Sequence, residues 1–129
     1  MAAPLRVLVV EDRADCAAST ALLLRLCGHE VEVAPDGASA VEAAWRRHPD
    51  VVLLDLGLPD MTGHEVAGRL HALQLPRPPL LVTVTGHAWE SDRLASRPAG
   101  IDLHLVKPVD PRELETLLEK VRGLLAAAP

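Results

Sequence analysis

A doubly wound α/β domain built on a parallel sheet is the fold this sequence predicts, and three observations carry it. Four short apolar runs, Val7-Leu8-Val9-Val10, Val51-Val52-Leu53-Leu54, Leu80-Leu81-Val82-Thr83-Val84 and Leu103-His104-Leu105-Val106, are each too short for a helix, and three are rich in Val. That pattern belongs to strands buried on both faces of a parallel sheet. Segments of helical character separate the strands, so strand and helix alternate five times, with right-handed crossovers. The length of 129 residues fits one domain, at roughly 100–150 residues per domain. Residues 1–129 are therefore expected to form a single domain with its core over 5–125.

The first strand gives way to an Ala/Leu-rich helix over 14–27 that stops at Gly28, a residue suited to a helix C-terminus. The alternating stretch Glu30-Val31-Glu32-Val33-Ala34 reads as a half-exposed edge strand. Asp36 is placed to cap a helix over 37–47, which ends before Pro49. A third helix, 63–73, is closed by Pro76, Pro78 and Pro79. A short fourth helix over 90–97 is followed by Pro98, which shortens or kinks it, and by Gly100. Asp110 caps a last helix with Pro111 at its first position and Glu113 three residues on, a sequence like a capping box. It runs to 125, and residues 126–129 are expected to fray. No internal repeat, low-complexity segment or linker interrupts this order.

Composition excludes several classes. Apolar residues make up 49% and charged residues 24% of the chain, ordinary values for a globular protein. The longest apolar runs fall far short of the roughly 20 residues a membrane span needs. Residues Met1 to Arg6 lack a basic start followed by an apolar signal core, so the expectation is a soluble cytoplasmic protein with no membrane partner. A net charge of −5 argues against nucleic acid as a partner. Two Trp and no Tyr or Phe leave almost no rings for a base or a flavin to stack on. Cys16 and Cys27 lie eleven residues apart on one expected helix, about 16 Å and too far for a disulfide. They read as buried or half-buried thiols in a reducing compartment. The histidines at 29, 48, 64, 71, 87 and 104 show no His-x-x-x-His spacing and read as mostly surface residues.

In an open α/β sheet, ligands bind beyond the carboxyl ends of the strands. The residues found there are Glu11 and Asp12, then Asp55, then Thr85-Gly86, then Lys107-Pro108. Three clustered carboxylates repel one another unless a cation sits among them, and a hard divalent ion such as Mg²⁺ suits such oxygen ligands. A lysine and a threonine hydroxyl beside them suit a tetrahedral dianion. The set points to phosphoryl transfer onto a carboxylate. Each residue alone has an ordinary structural reading. Glu11 or Asp12 could cap a helix, Asp55 could begin a turn, Thr85-Gly86 could end a strand, and Lys107 could be a solvated lysine. All four readings would have to hold at once.

The pieces Val9-Val10-Glu11-Asp12, Leu53-Leu54-Asp55-Leu56-Gly57-Leu58-Pro59-Asp60-Met61-Thr62-Gly63, Val84-Thr85-Gly86 and Leu105-Val106-Lys107-Pro108 resemble, in this order, the receiver domains of two-component response regulators. The resemblance covers nearly the whole chain. It implies a flavodoxin-like (βα)5 fold with strand order 2-1-3-4-5. It also implies a phosphoacceptor at Asp55, fed by a phosphohistidine of a histidine kinase or histidine phosphotransfer protein. Mg²⁺ (or Mn²⁺) would be bound by Asp12, Asp55 and the Gly57 carbonyl, with Glu11 acting through water. Lys107 would pair with the phosphoryl oxygens, and its bond to Pro108 is cis in this family. Thr85 would move onto the phosphoryl group as a switch.

Some positions depart from the family pattern. His104 stands where receivers usually carry a Tyr or Phe that swings inward, so a switching histidine and a tolerated surface histidine are both open readings. Gly57 and His87, two residues beyond Asp55 and Thr85, flank the site and are expected to set phosphoryl lifetime. Thr62 replaces a common Asp, and little is expected of that change. The run Gly100 to Pro111 resembles receivers attached to hybrid histidine kinases more than those fused to DNA-binding domains.

The implied function is a signalling module that catalyses its own phosphorylation and dephosphorylation without separate substrate turnover. It would act on a downstream protein as a monomer or phosphorylation-dependent dimer. Partner recognition would use the start of the first helix, near Arg13 and Cys16, and the loop after Lys107. The chief alternative is a pseudo-receiver that docks proteins without being phosphorylated. A haloacid-dehalogenase-like phosphatase would need a second acid at 57, where Gly stands. A flavodoxin-like FMN carrier would need a hydroxyl-rich phosphate loop after the first strand.

Overall fold

The computed structural model describes residues 4–85, 102–107 and 109–127, and among these residues nine elements follow one another. They are β1 (Arg6–Val10), α1 (Ala14–Leu26), β2 (Glu30–Ala34), α2 (Gly37–Arg47), β3 (Val51–Asp55), α3 (Gly63–Ala72), β4 (Leu80–Thr85), β5 (Leu103–Val106) and α4 (Pro111–Ala127). The strands form one sheet in the order β2-β1-β3-β4-β5, and every pairing is parallel. The helix expected over 90–97, with Pro98 after it, lies outside the described residues.

Side chains alternate across the sheet because the strand period is two. Val7 and Val9 of β1, Leu53 of β3 and Val82 of β4 face one way, against Leu24 of α1 and Leu114, Leu118 and Val121 of α4. Leu8, Val10, Val52 and Leu54 face the other way, against Ala40, Ala43 and Ala44 of α2 and Val66, Ala67 and Leu70 of α3. The central strands are thus apolar on both faces, which is why their sequences read as continuous runs rather than alternations. β2 at the edge is half-exposed as expected, but its burial does not alternate: Val33 is exposed, and only Ala34 of the strand is buried.

Caps fix the helix starts. The Asp36 carboxylate accepts from the Ser39 amide at 2.8 Å, and Asp110 accepts from the Arg112 amide at 2.9 Å. Thr62 has a larger role than expected. Its hydroxyl accepts from the Glu65 amide at 3.0 Å while the Glu65 carboxylate accepts from the Thr62 amide at 3.2 Å, a reciprocal capping box. The signal was present in Thr62-Gly63-His64-Glu65. Asp60, in the same loop, reaches across to α2 and accepts from the amides of Gly37 at 2.8 Å and Ala38 at 3.0 Å. A Cβ at Gly37 would lie 2.3 Å from Met61 Cγ, so the missing side chain lets the loop lie against α2.

Three ends differ from expectation. α1 closes at Leu26 with Cys27 as its cap, and α3 closes at Ala72 with Leu73 as its cap. α4 continues through Ala127 instead of fraying at 126, because alanine is the best helix former. Both cysteines are half-buried.

The reading of the histidines as surface groups fails at His29, which is only 6% exposed. Its Nδ1 accepts from the Leu5 amide at 3.2 Å, and Arg122 of α4 lies 3.3 Å from both ring nitrogens. Burial, and then the Arg122 charge, hold the His29 pKa below its ordinary value, with Glu119 opposing weakly. Arg122 is itself paired with Glu119 at 3.1 Å. Because the folded pKa is depressed, the unfolded chain takes the proton first, and stability falls as pH drops through the unfolded value near 6.5. Wild type should therefore lose more melting temperature between pH 7 and pH 5 than His29→Gln, which keeps an acceptor for Leu5 without a titrating ring. Parallel losses in the two proteins would remove His29 as the cause.

Candidate functional site

The parallel register brings the carboxyl ends of β1, β3 and β5 to one edge of the sheet. Glu11 and Asp12 follow β1, Asp55 ends β3 and Lys107 follows β5. Glu11, Asp12 and Asp55 each place a carboxylate oxygen within 4.8 Å of the others. Lys107 Nζ lies 3.4 Å from Glu11 Oε1 and 3.5 Å from Asp55 Oδ2. Glu11 is only 7% exposed, and its backbone amide donates to the Ala34 carbonyl at 3.0 Å. Asp55 Oδ1 accepts from the Gly57 amide at 3.1 Å.

The charges settle unequally. Burial raises the Glu11 pKa, the hydrogen bond and charge of Asp55 raise it further, and together they outweigh Lys107, so it reaches about 7. Burial also raises Asp55, but the hydrogen bonds from Glu11 and Gly57 and the charge of Lys107 overcome it and hold Asp55 below the usual carboxylate value. Burial alone would lower Lys107, yet the two carboxylates keep its pKa above the usual lysine value. Near neutral pH the pair thus presents an ionised Asp55 beside a Glu11 that shares its charge with a proton. Glu11 Oε2 is buried and has no hydrogen-bond partner among the described residues. An orphaned carboxylate oxygen in an all-oxygen donor set fits a hard divalent cation.

The other expected site residues fall in several places. Gly57 is exposed beside Asp55, and a Cβ there would lie at ordinary contact distance, 3.8 Å from Oδ1. Thr85 is the last residue of β4, paired with Val106. His87 and Pro108 lie outside the described residues. His104 is half-buried on β5, and its Nδ1 is hydrogen-bonded to the hydroxyl of Thr83, its partner across the strands. Sequence reasoning missed Thr83, which is fully buried; a hydroxyl in an apolar strand opposite a histidine is the signal that could have found it.

The geometry is matched by what the chain is similar to. Residues 7–119 match the family model described as the response regulator receiver domain. The chain belongs to that family. Among curated relatives, the transcriptional regulatory protein PrrA of Mycobacterium tuberculosis (strain ATCC 25618 / H37Rv) is 38% identical over 120 residues, covering 93% of this chain and 49% of PrrA. The chain thus spans about half the length of such relatives. Among solved structures, a CheY-like response regulator receiver domain protein from Methanospirillum hungatei JF-1 superposes with a TM-score of 0.85 at 31% identity, covering 98% of this chain and all of that one. The receiver domain of the sensor histidine kinase PA1611 from Pseudomonas aeruginosa PAO1, which holds a magnesium ion in its active-site cleft, gives 0.84 at 30% identity, covering 94% and 99%.

This receiver is a module of two-component signalling, and receivers are signalling proteins rather than enzymes that turn over separate substrates. Relatives include both a transcriptional regulator and a kinase receiver, so the resemblance to hybrid-kinase receivers is not singled out. The expectation of no nucleic-acid partner rests on this chain's charge alone and gains no support from a relative that is a transcriptional regulator. Among the described residues, no helix is long and apolar enough to cross a membrane.

If Lys107 is the counter-charge that holds the acids, Lys107→Met should raise the titration of both Asp55 and Glu11 in the metal-free receiver, read by ¹³C NMR of the carboxyl carbons. Unchanged titrations would show that the ammonium does not act on them.

Proposed function

We propose that Asp55 is the phosphoacceptor of this receiver, taking a phosphoryl group from a phosphohistidine of a sensor kinase or histidine phosphotransfer protein. The observation that carries this reading is a half-buried Asp55 held against Lys107 and two further carboxylates at the sheet edge. A carboxylate oxygen of Asp55 forms the new O–P bond as the N–P bond breaks, and the bonding pair stays with the imidazole ring. Lys107, already 3.5 Å from Asp55, pairs with the phosphoryl oxygens and so follows the negative charge onto the product. The Gly57 amide orients the other oxygen of Asp55 for attack.

Asp12, Asp55 and the Gly57 carbonyl would hold Mg²⁺ or Mn²⁺, with Glu11 acting through water. When bound, the ion supplies charge neutralisation for the transferring group. The magnesium ion in the PA1611 receiver supports this assignment. Thr85, at the end of β4, is the proposed switch that carries phosphorylation to a protein-binding surface. His104 is proposed to work with it from the neighbouring strand, held inward by Thr83. Gly57 and His87 are proposed to set phosphoryl lifetime, since a side chain at 57 would stand beside Asp55. Residues 1–129 act as one such domain in the cytoplasm.

Treatment with acetyl phosphate or phosphoramidate and Mg²⁺ should add one phosphoryl group to wild type by intact-protein mass. Asp55→Asn or EDTA should abolish the gain. Failure with these donors and with a cognate phosphodonor protein would replace the proposal with the phosphorylation-independent docking module.

A further inference from the structure

A cleft of about 530 Å³ opens beside the acidic site, between α1 and α4, and runs down one face of the sheet. Its volume lies within the range of small-molecule sites, roughly 300–1,000 Å³. None of the residues deeper than Glu11, Asp55 and Lys107 is used in the phosphoryl chemistry. α1 lines it with Cys16, Thr20 and Leu23, spaced so that they share one helix face. α1 seats on the sheet through a different stripe, Ala17, Ala21 and Leu24. Side chains as short as Cys16 and Thr20 leave the gap to α4 unfilled, and the chain has no Phe or Tyr to close it. The floor is apolar, made by Leu53, Val84, Leu105 and Leu114.

The mouth has the opposite character. Glu11, Asp15 and Asp55 line it against the single ammonium of Lys107, and Asp12 belongs to the same cluster. Glu11 is more than nine-tenths buried, with Oε2 unpartnered among the described residues. An occupant that fits both ends has an apolar body for the floor and a cationic head for the acids.

We propose that this cleft is a binding site for a small amphipathic amine, an alkyl or aryl primary ammonium whose chain lies over Leu105 and Leu114. The head lies among Glu11, Asp15 and Asp55. Charge complementarity selects the cation over a neutral or anionic molecule of the same shape. The proposal does not depend on Asp55 accepting a phosphoryl group.

Methyl-labelled receiver in EDTA, titrated with n-hexylammonium, tests it by ¹H–¹³C NMR. Saturable shifts should appear at the methyls of Leu23, Leu105 and Leu114. Hexanol should bind several-fold more weakly, and hexanoate at least tenfold more weakly. Thr20→Leu, which fills the cleft from α1, should weaken hexylammonium at least tenfold; if that variant does not fold, Cys16→Leu takes its place. Equal binding of the three probes, no saturation at these methyls, or full binding by the filled variant would each overturn the proposal.

Discussion

The parallel sheet of this receiver holds three carboxylates within 4.8 Å of one another, with the Lys107 ammonium beside two of them. Left to themselves the acids repel, and in a flexible chain they would separate. They stay together because β1 and β3 are adjacent parallel strands in register, Val10 opposite Leu54. Their C-terminal residues must therefore emerge side by side. The apolar runs that form those strands thus do more than fill a core. They supply the free energy that holds like charges in one place, which is how a hydrophobic sheet comes to support an acidic edge.

The loop after β3 extends the same logic. β3 fixes the backbone of Asp55, paired with Val84, and the loop that follows fixes what surrounds its carboxylate. Asp60 bonds to the start of α2, Thr62 and Glu65 close the start of α3, and Gly37 leaves space for Met61. The segment between strand and helix is held at both of its helical neighbours. It presents the Gly57 amide to Asp55 as a fixed donor. On the far side of the sheet, α1 and α4 are less closely joined, and the cleft between them is the counterpart of small side chains on α1.

Much of this was legible in the sequence. Strand runs, helix stops at Gly28 and Pro49, and the Asp36 cap all follow from local rules, and parallel topology then places Glu11, Asp12, Asp55 and Lys107 on one edge. What could not be read was tertiary. His29 looks like a turn residue between α1 and β2, and it is a buried group because Leu5 and Arg122, 24 and 93 positions away along the chain, close on its ring. Thr83 looks like one more strand residue until His104 arrives opposite it. Asp60 looks like a loop acid, yet its partners lie 22 and 23 residues upstream. Thr62 is a different case, because its capping box is local and was underrated rather than hidden.

The sheet holds the acid cluster together against its own repulsion, and the donor set fits a divalent cation. Thermal unfolding of wild type and Asp12→Asn, each in EDTA and in Mg²⁺, tests both points at once. Removing one of the repelling charges should raise the melting temperature of the metal-free variant above that of wild type. The same change should erase most of the rise that Mg²⁺ gives wild type. A metal-free variant that melts lower than wild type, with its Mg²⁺ response intact, would contradict the claim.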